Sequence, residues 1–179
     1  MRLRNARAAL AGAAAILLAA PACALAVFDV PVGIEPPEHV FPIRGPHDLG
    51  RNPANMFGGG RGHDGQDMFA DCGTPVIAAT AGTVVRAAFE GAAGNYIVLH
   101  DHASGEDSVY MHLAHTPRLA EGESVTVGQR IASVGQTGDA DGCHLHFELW
   151  TAPGWFKGHA YDPLPKLRRW DTESRRAGG

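Results

Sequence analysis

The sequence is poor in aromatic residues, which make up 7% of its 179 positions, and it contains only three cysteines. Its longest apolar run is shorter than the ~20 residues that an ordinary transmembrane helix needs, so a membrane-spanning architecture is not expected. Glycine and proline are abundant by contrast, with 23 and 12 copies. A chain of this length suits one domain with short tails, built from many turns and few long helices.

The N-terminal residues have the features of an export signal. Three arginines precede a short apolar run over residues 8–20, and the Ala-Leu-Ala sequence of residues 24–26 matches the small-x-small pattern of a signal-peptidase site. We therefore predict a signal peptide over residues 1–26 and an exported protein, located in the periplasm, outside the cell or in the cell wall. An uncleaved anchor and a lipid anchor on Cys23 are the alternatives.

Basic residues are in the minority once this signal is removed. Residues 1–26 hold three of the 15 lysines and arginines and none of the 19 aspartates and glutamates, so the remainder has a formal net charge of −7. A net acidic domain is not suited to electrostatic binding of nucleic acid. We expect no nucleic-acid partner, and no stable membrane insertion after signal cleavage.

The rest of the chain divides into three segments by composition. Residues 27–38 are rich in proline and acidic, which indicates a linker or arm, and residues 39–165 form the predicted domain. Residues 166–179 carry five basic and two acidic side chains, and we expect them to fray as a charged flexible tail.

Short apolar segments separated by turns fill the predicted domain, and residues 65–150 lack the apolar stripe of a helix. We therefore predict an all-β fold, a compact antiparallel sheet curled into a sandwich or barrel, with long loops. The predicted strands are residues 75–80, 83–89, 95–100, 108–113, 124–127, 130–134 and 144–150, with a short one at 40–43.

Histidine and aspartate placement carries the chemical information. His63 and Asp67 are four positions apart in a glycine-rich segment, so an extended backbone places both side chains on one face. His144 and His146 share a face of a strand whose opposite face is apolar. Two imidazoles and one carboxylate are a normal ligand set for catalytic zinc, which keeps a fourth position open for water or substrate.

A zinc hydrolase also needs a group that moves protons. The sequence has no H-E-x-x-H motif, so the glutamate base of that class is absent and spare histidines must do this work. His112 lies in the alternating segment S-V-Y-M-H-L, where we expect Tyr110 and His112 to share a polar face. His112 is a candidate partner for whichever of His144 and His146 is not a ligand, and Tyr110 is a candidate for transition-state support.

These motifs together resemble the lysostaphin/LytM-type zinc endopeptidases of bacterial cell walls, over residues 39–165. The family pattern of H-x-x-x-D, Y-x-H-L and H-L-H-F-E is matched in that order by residues 63–67, 110–113 and 144–148. The resemblance implies a curled antiparallel sheet, and peptidoglycan cross-links or stem peptides as substrates. It also implies one zinc ion held by His63, Asp67 and His146, with His112 and His144 as the catalytic histidines. We also expect a monomer.

One departure from the family pattern concerns the cysteines. Cys143 stands where the family usually has a proline before H-L-H, and Cys72 follows Asp67 by five residues. Both cysteines thus flank segments that the resemblance brings together, and an exported protein permits disulfides. We predict a disulfide between Cys72 and Cys143. Two free buried thiols, or cysteines acting as extra zinc ligands, are the alternatives.

Two other functions fit part of the pattern. A non-catalytic cell-wall regulator could use the same fold, but all five chemical residues are present here. A sugar-permease phosphocarrier domain has a somewhat similar architecture and a histidine pair, but such carriers work in the cytoplasm and the export signal argues against one. The sequence leaves open which bond is cut and whether residues 27–62 cover the cleft.

Overall fold

The computed structural model describes residues 37–60 and 62–177. The predicted signal peptide, and the predicted linker through residue 36, lie outside the described residues. Within the described part of the chain, no helix has both the length and the apolar character needed to cross a membrane.

Antiparallel strands dominate the described residues, as predicted. In chain order the elements are β1 (Asp48–Leu49), a 3-10 helix (Pro53–Asn55), β2 (Gln66–Phe69), β3 (Pro75–Ile77), β4 (Gly82–Glu90), β5 (Gly94–His100), β6 (Asp107–Leu113), β7 (Ser124–Val125), β8 (Arg130–Ser133), β9 (His144–Trp150), β10 (Ala160–Tyr161) and α1 (Leu164–Ala177). The all-β prediction is confirmed, with one helix added at the end.

The large sheet places β9 between β2, which carries Asp67, and β6, which carries His112. Its order is β1-β2-β9-β6-β5-β4-β7, and β10 also pairs with β9. The register pairs Asp67 of β2 with His146 of β9, and pairs Met111 of β6 with the same His146. Segments that are far apart in sequence therefore meet at the middle of β9.

The opposite side chains of β9 form the centre of the hydrophobic core. Leu145 and Phe147 are fully buried and Leu149 is almost so, and they cluster with Tyr110 of β6 and Met68 of β2. The small two-stranded sheet of β3 and β8 packs against this apolar side, as do residues from the N-terminal segment and α1. The predicted core face of β9 is confirmed.

The prediction that the charged tail frays is wrong for residues 166–177, which form most of α1. Leu164, Leu167 and Trp170 recur every three residues and are all buried, so the helix has one apolar stripe beneath its charges. The Trp170 ring lies 6.4 Å from the ring of Phe147, measured between centroids. Residues 178–179 lie outside the described residues.

The short strands β3, β7 and β8 do not pair with their neighbours in the chain. β3 pairs with β8 rather than with β4, because the backbone around Ala78 exchanges hydrogen bonds with Gly128 and Gln129. β7 pairs with β4, so β7 and β8 do not form a hairpin with each other. The strand predicted at residues 40–43 is reduced to isolated bridges at His39 and Ile43.

Candidate metal centre

Three side chains converge where β2 meets β9. His63 Nε2 lies 3.0 Å from Asp67 Oδ1, and His146 Nδ1 lies 2.9 Å from the same oxygen. One ligand atom from each residue falls within 4.8 Å of the others. Asp67 and His146 are supplied by paired strand positions, while His63 comes from the loop before β2.

The remaining ring nitrogens of the two histidines fix which atoms face Asp67. His63 Nδ1 lies 3.0 Å from the carbonyl oxygen of Met56, and His146 Nε2 lies 3.0 Å from the carboxylate of Glu148. Because carbonyl and carboxylate oxygens only accept, both of these nitrogens carry hydrogen. In their neutral forms, His63 Nε2 and His146 Nδ1 thus point lone pairs at a carboxylate oxygen. A shared proton or a bound cation can satisfy these converging acceptors, and two imidazoles with one carboxylate are a ligand set that fits zinc.

Two further histidines lie beside this group, each about 7% exposed. The ring centroids of His112 and His144 are 4.7 Å apart, and those of His112 and His146 are 5.9 Å apart. His112 Nδ1 donates to the carbonyl of Thr137 at 2.9 Å, and His144 Nδ1 donates to the carbonyl of Gly142 at 3.0 Å. In the neutral form of each ring, Nε2 is therefore the atom that can accept a proton.

His112 reaches the site through an irregular backbone. Its φ of 60° lies in the left-handed region, and it is the single non-glycine residue in the described ranges with a positive φ. Its N–H donates to the carbonyl of Ala93, beyond the regular pairing of β6. A non-glycine residue in this region costs about 1–3 kcal/mol, which the surrounding structure must offset.

Tyr110 does not share the face of His112, so the prediction of a shared polar face is wrong, and the structure gives its predicted transition-state role no support. It pairs with Phe147, whereas Met111 pairs with His146, so strand alternation puts Tyr110 on the core side. Its hydroxyl accepts from the N–H of Ala79 and is fully buried. Burial raises the pKa of Tyr110 to about 12. The left-handed turn at His112 breaks the alternation on which the prediction depended.

The metal-free cluster has strongly shifted protonation equilibria. Burial acts to raise the pKa of Asp67, but hydrogen bonds from His146 and His63 outweigh it and hold that pKa well below its ordinary value. Burial acts to lower the pKa of His146, but Asp67 and Glu148 outweigh it and raise the pKa. Burial lowers the pKa of His112 to about 4, despite the hydrogen bond to Thr137. His112 is therefore a neutral proton acceptor at neutral pH.

A disulfide joins Cys72, just after β2, to Cys143, just before β9. The Cα atoms of the two cysteines are 5.2 Å apart, and the bond closes a separation of 71 residues. It therefore ties together the two chain segments that supply Asp67 and His146. The predicted pairing is present, and the cysteines take no place among the converging donors.

The site opens into a cleft of about 690 Å³. The hairpin between β4 and β5 contributes Glu90, and the loop before β9 contributes Asp139 and Asp141. With Asp64 these exposed carboxylates give the rim a negative charge, and the described lining residues include no lysine or arginine. Such a cleft attracts positively charged groups over the range of the Debye length.

Sequence reasoning assigned no role to Glu148, although it lies within a quoted motif. Its carboxylate is 5% exposed and contacts both His146 and the indole Nε1 of Trp150. The signal was available, because period-two alternation puts Glu148 on the same face of β9 as His144 and His146. The carbonyl partners from Met56, Thr137 and Gly142 left no such signal, since backbone contacts depend on loop conformation.

The fold and this group of side chains agree with comparisons to known proteins. The sequence profile described as peptidase family M23 matches residues 61–163, more than half of the chain. The chain therefore belongs to peptidase family M23.

Individual relatives and structures lead to the same family. The peptidoglycan DD-endopeptidase ShyA of Vibrio cholerae is 39% identical over 87 residues, covering 49% of this chain and 20% of ShyA. The glycyl-glycine endopeptidase ALE-1 of Staphylococcus capitis is 35% identical over 125 residues, covering 69% of this chain and 32% of ALE-1. The crystallised catalytic domain of lysostaphin from Staphylococcus simulans aligns with a TM-score of 0.57 and 32% identity, covering 69% of this chain and 92% of that domain. The chain thus spans a third or less of these two curated relatives.

Proposed function

We propose that the protein is an exported zinc-dependent endopeptidase that hydrolyses peptide bonds in peptidoglycan cross-links or stem peptides. The observation that carries this proposal is the convergence of His63, Asp67 and His146 beside two histidines whose Nδ1 atoms are held by backbone carbonyls. Membership of family M23 and the endopeptidase names of ShyA and ALE-1 support it.

The proposed roles follow from the hydrogen bonds of each ring. His63, Asp67 and His146 would hold the zinc ion, which when bound polarises a carbonyl and lowers the pKa of water. His112 and His144 have Nε2 atoms free to accept the proton of the attacking water and return it to the leaving amine. Thr137 and Gly142 hold these rings through Nδ1, so proton transfer takes place at Nε2 without rotation of either ring.

The acidic rim bears on the choice of substrate. The carboxylates around the cleft favour cationic groups of a peptide substrate, such as a free amine, over anionic ones. The relatives differ in the bond that their names describe, a DD bond for ShyA and a glycyl-glycine bond for ALE-1. A test of substrate choice therefore needs two walls, one with direct cross-links and one with glycine bridges.

The test is a digest of purified walls by the full chain. Zinc-loaded protein would be incubated with a directly cross-linked wall and with a glycine-bridged wall, and new amine ends would be identified by mass spectrometry. We expect release from one of them, lost with a chelator and with His146→Ala, and retained with His115→Ala, which changes an exposed histidine. A folded, zinc-loaded protein that releases nothing from either wall would contradict the endopeptidase proposal and favour a non-catalytic regulator.

A further inference from the structure

Glu148 is the polar residue of the site that the proposed reaction leaves without a role. It lies between His146 and Trp150 on one face of β9, and it is 5% exposed. One carboxylate oxygen lies 3.0 Å from His146 Nε2, and the other accepts a hydrogen bond of 2.6 Å from the indole N–H of Trp150. Both oxygens are thus occupied, and the carboxylate is held from two sides.

Gly65 packs directly over the contact between His146 and Glu148. A Cβ atom at this position would lie 2.8 Å from His146 Nε2 and 3.0 Å from Glu148 Cγ, and it would also clash with the carbonyl oxygen of Phe147. The φ of Gly65 is not in the left-handed region, so the position needs glycine for space rather than for conformation. The backbone at Gly65 therefore lies in close contact with the pair on one side.

His146 differs from the other three histidines of the site in what holds its ring. The Nδ1 atoms of His63, His112 and His144 donate to neutral backbone carbonyls. His146 instead donates from Nε2 to a buried carboxylate, which leaves Nδ1 as the atom that faces Asp67. A carboxylate behind a ligating histidine fixes its tautomer and orientation and makes it a stronger donor to a metal.

We propose that Glu148 is a positioning residue for the metal centre, which sets the tautomer and direction of His146 and is itself held by Trp150 and covered by Gly65. This inference rests on the proposed function in one respect, namely that His146 is a metal ligand. Glu148 acts through His146 and touches no reacting atom in this assignment.

The test measures zinc affinity of the metal-free full chain by competition with a chromophoric chelator. Glu148→Gln keeps the size of the side chain and removes its charge, and we expect about 10- to 100-fold weaker zinc binding. Trp150→Phe should weaken binding by a smaller factor, because it frees the carboxylate without removing it. Glu90→Gln is the matched control, since it removes one charge from the same cleft without touching a histidine, and its affinity should stay within about twofold.

A second readout separates positioning from a merely structural role. In zinc-loaded protein, ¹⁵N NMR should show His146 with hydrogen on Nε2 and metal on Nδ1, and this signature should weaken in Glu148→Gln. If Glu148→Gln lowers the melting temperature but binds zinc within twofold of wild type, the inference is wrong. It is also wrong if the wild-type chain binds no zinc. If wild type binds zinc, Glu148→Gln binds it more weakly and neither protein cuts any wall, the inference stands and the endopeptidase proposal fails.

Discussion

The two faces of β9 are buried to nearly the same extent but with opposite chemistry. His144, His146 and Glu148 are 5–7% exposed, whereas Leu145, Phe147 and Leu149 on the other face are 0–4% exposed. Buried polar groups cost free energy unless they find partners, and each of these three has one. The apolar face has no such requirement and supplies stabilisation by burial. The apolar face of β9 thus contributes mainly to stability and the polar face to the proposed chemistry. Substitutions on the two sides should therefore affect stability and activity separately.

The largest expected effect comes from the polar face. His112→Ala and His144→Ala should each lower kcat/KM for wall peptides by about 10²- to 10⁴-fold, because each removes a group proposed to transfer protons. Zinc content and melting temperature should stay close to those of wild type, since neither residue is a proposed ligand. Zinc analysis and a fragment-release assay on the same samples check this, and full activity in His112→Ala would disprove its role.

On the apolar side, Leu167→Ala should destabilise the protein by about 2–5 kcal/mol, the usual cost of truncating a fully buried leucine. Urea unfolding measures this loss, and the fraction that remains folded should bind zinc as tightly as wild type. Arg176→Ala, on the exposed side of the same helix, should change stability by less than about 0.5 kcal/mol. Equal effects of the two substitutions would mean that α1 does not pack as described.

The disulfide connects the segments that supply Asp67 and His146, so its removal tests how much this covalent link stabilises the fold. Replacing both Cys72 and Cys143 by serine should lower stability by about 2–4 kcal/mol, given the long loop that the bond closes. Thermal unfolding with and without a reducing agent checks this for wild type. The double variant should not respond to the reducing agent, and a response from it would point to some other effect of the agent.

The smallest effect concerns pH. The pKa of His112 is lowered to about 4 in the folded chain from an ordinary value of 6.5, so the unfolded chain binds a proton first as pH falls. The contribution of neutral His112 to the free energy of unfolding is complete above about pH 6.5. It is lost progressively as pH falls from about 6.5 to about 4. Metal-free wild type should therefore lose more stability than His112→Asn between urea melts at pH 6.5 and pH 4.5. Parallel losses would show that His112 titrates normally.

Sequence reasoning worked best where side-chain alternation is strict. β9 was predicted with its observed bounds, because H-L-H-F-E-L-W alternates polar and apolar residues without interruption. The disulfide and the convergence of His63, Asp67 and His146 followed from family resemblance rather than from spacing, since spacing cannot specify which strands pair. The ligand and catalytic roles themselves remain predictions.

The failures have two physical causes. The left-handed backbone at His112 places its ring on the face opposite to Tyr110, and no local sequence pattern predicts a positive φ at a histidine. In α1, five basic side chains concealed an apolar stripe of three residues, although Leu, Lys and Arg favour helices and Pro165 suits a first helical turn. Charged side chains indicate that part of a segment is exposed to solvent, but they do not exclude a helix whose other face is buried.

Helix α1 also affects the order in which the protein can be assembled. Trp170 packs near Phe147 and His39, and the hydroxyl of Ser174 accepts from the N–H of Phe41, so the helix holds the start of the domain and the central strand together. Synthesis from the N-terminus delivers these helical residues after every strand. A nascent chain that has reached residue 163 contains all of the candidate metal ligands but lacks the helix that packs against its hydrophobic core. Complete folding must therefore wait for the last helix, after the chemistry-bearing strands have already been made.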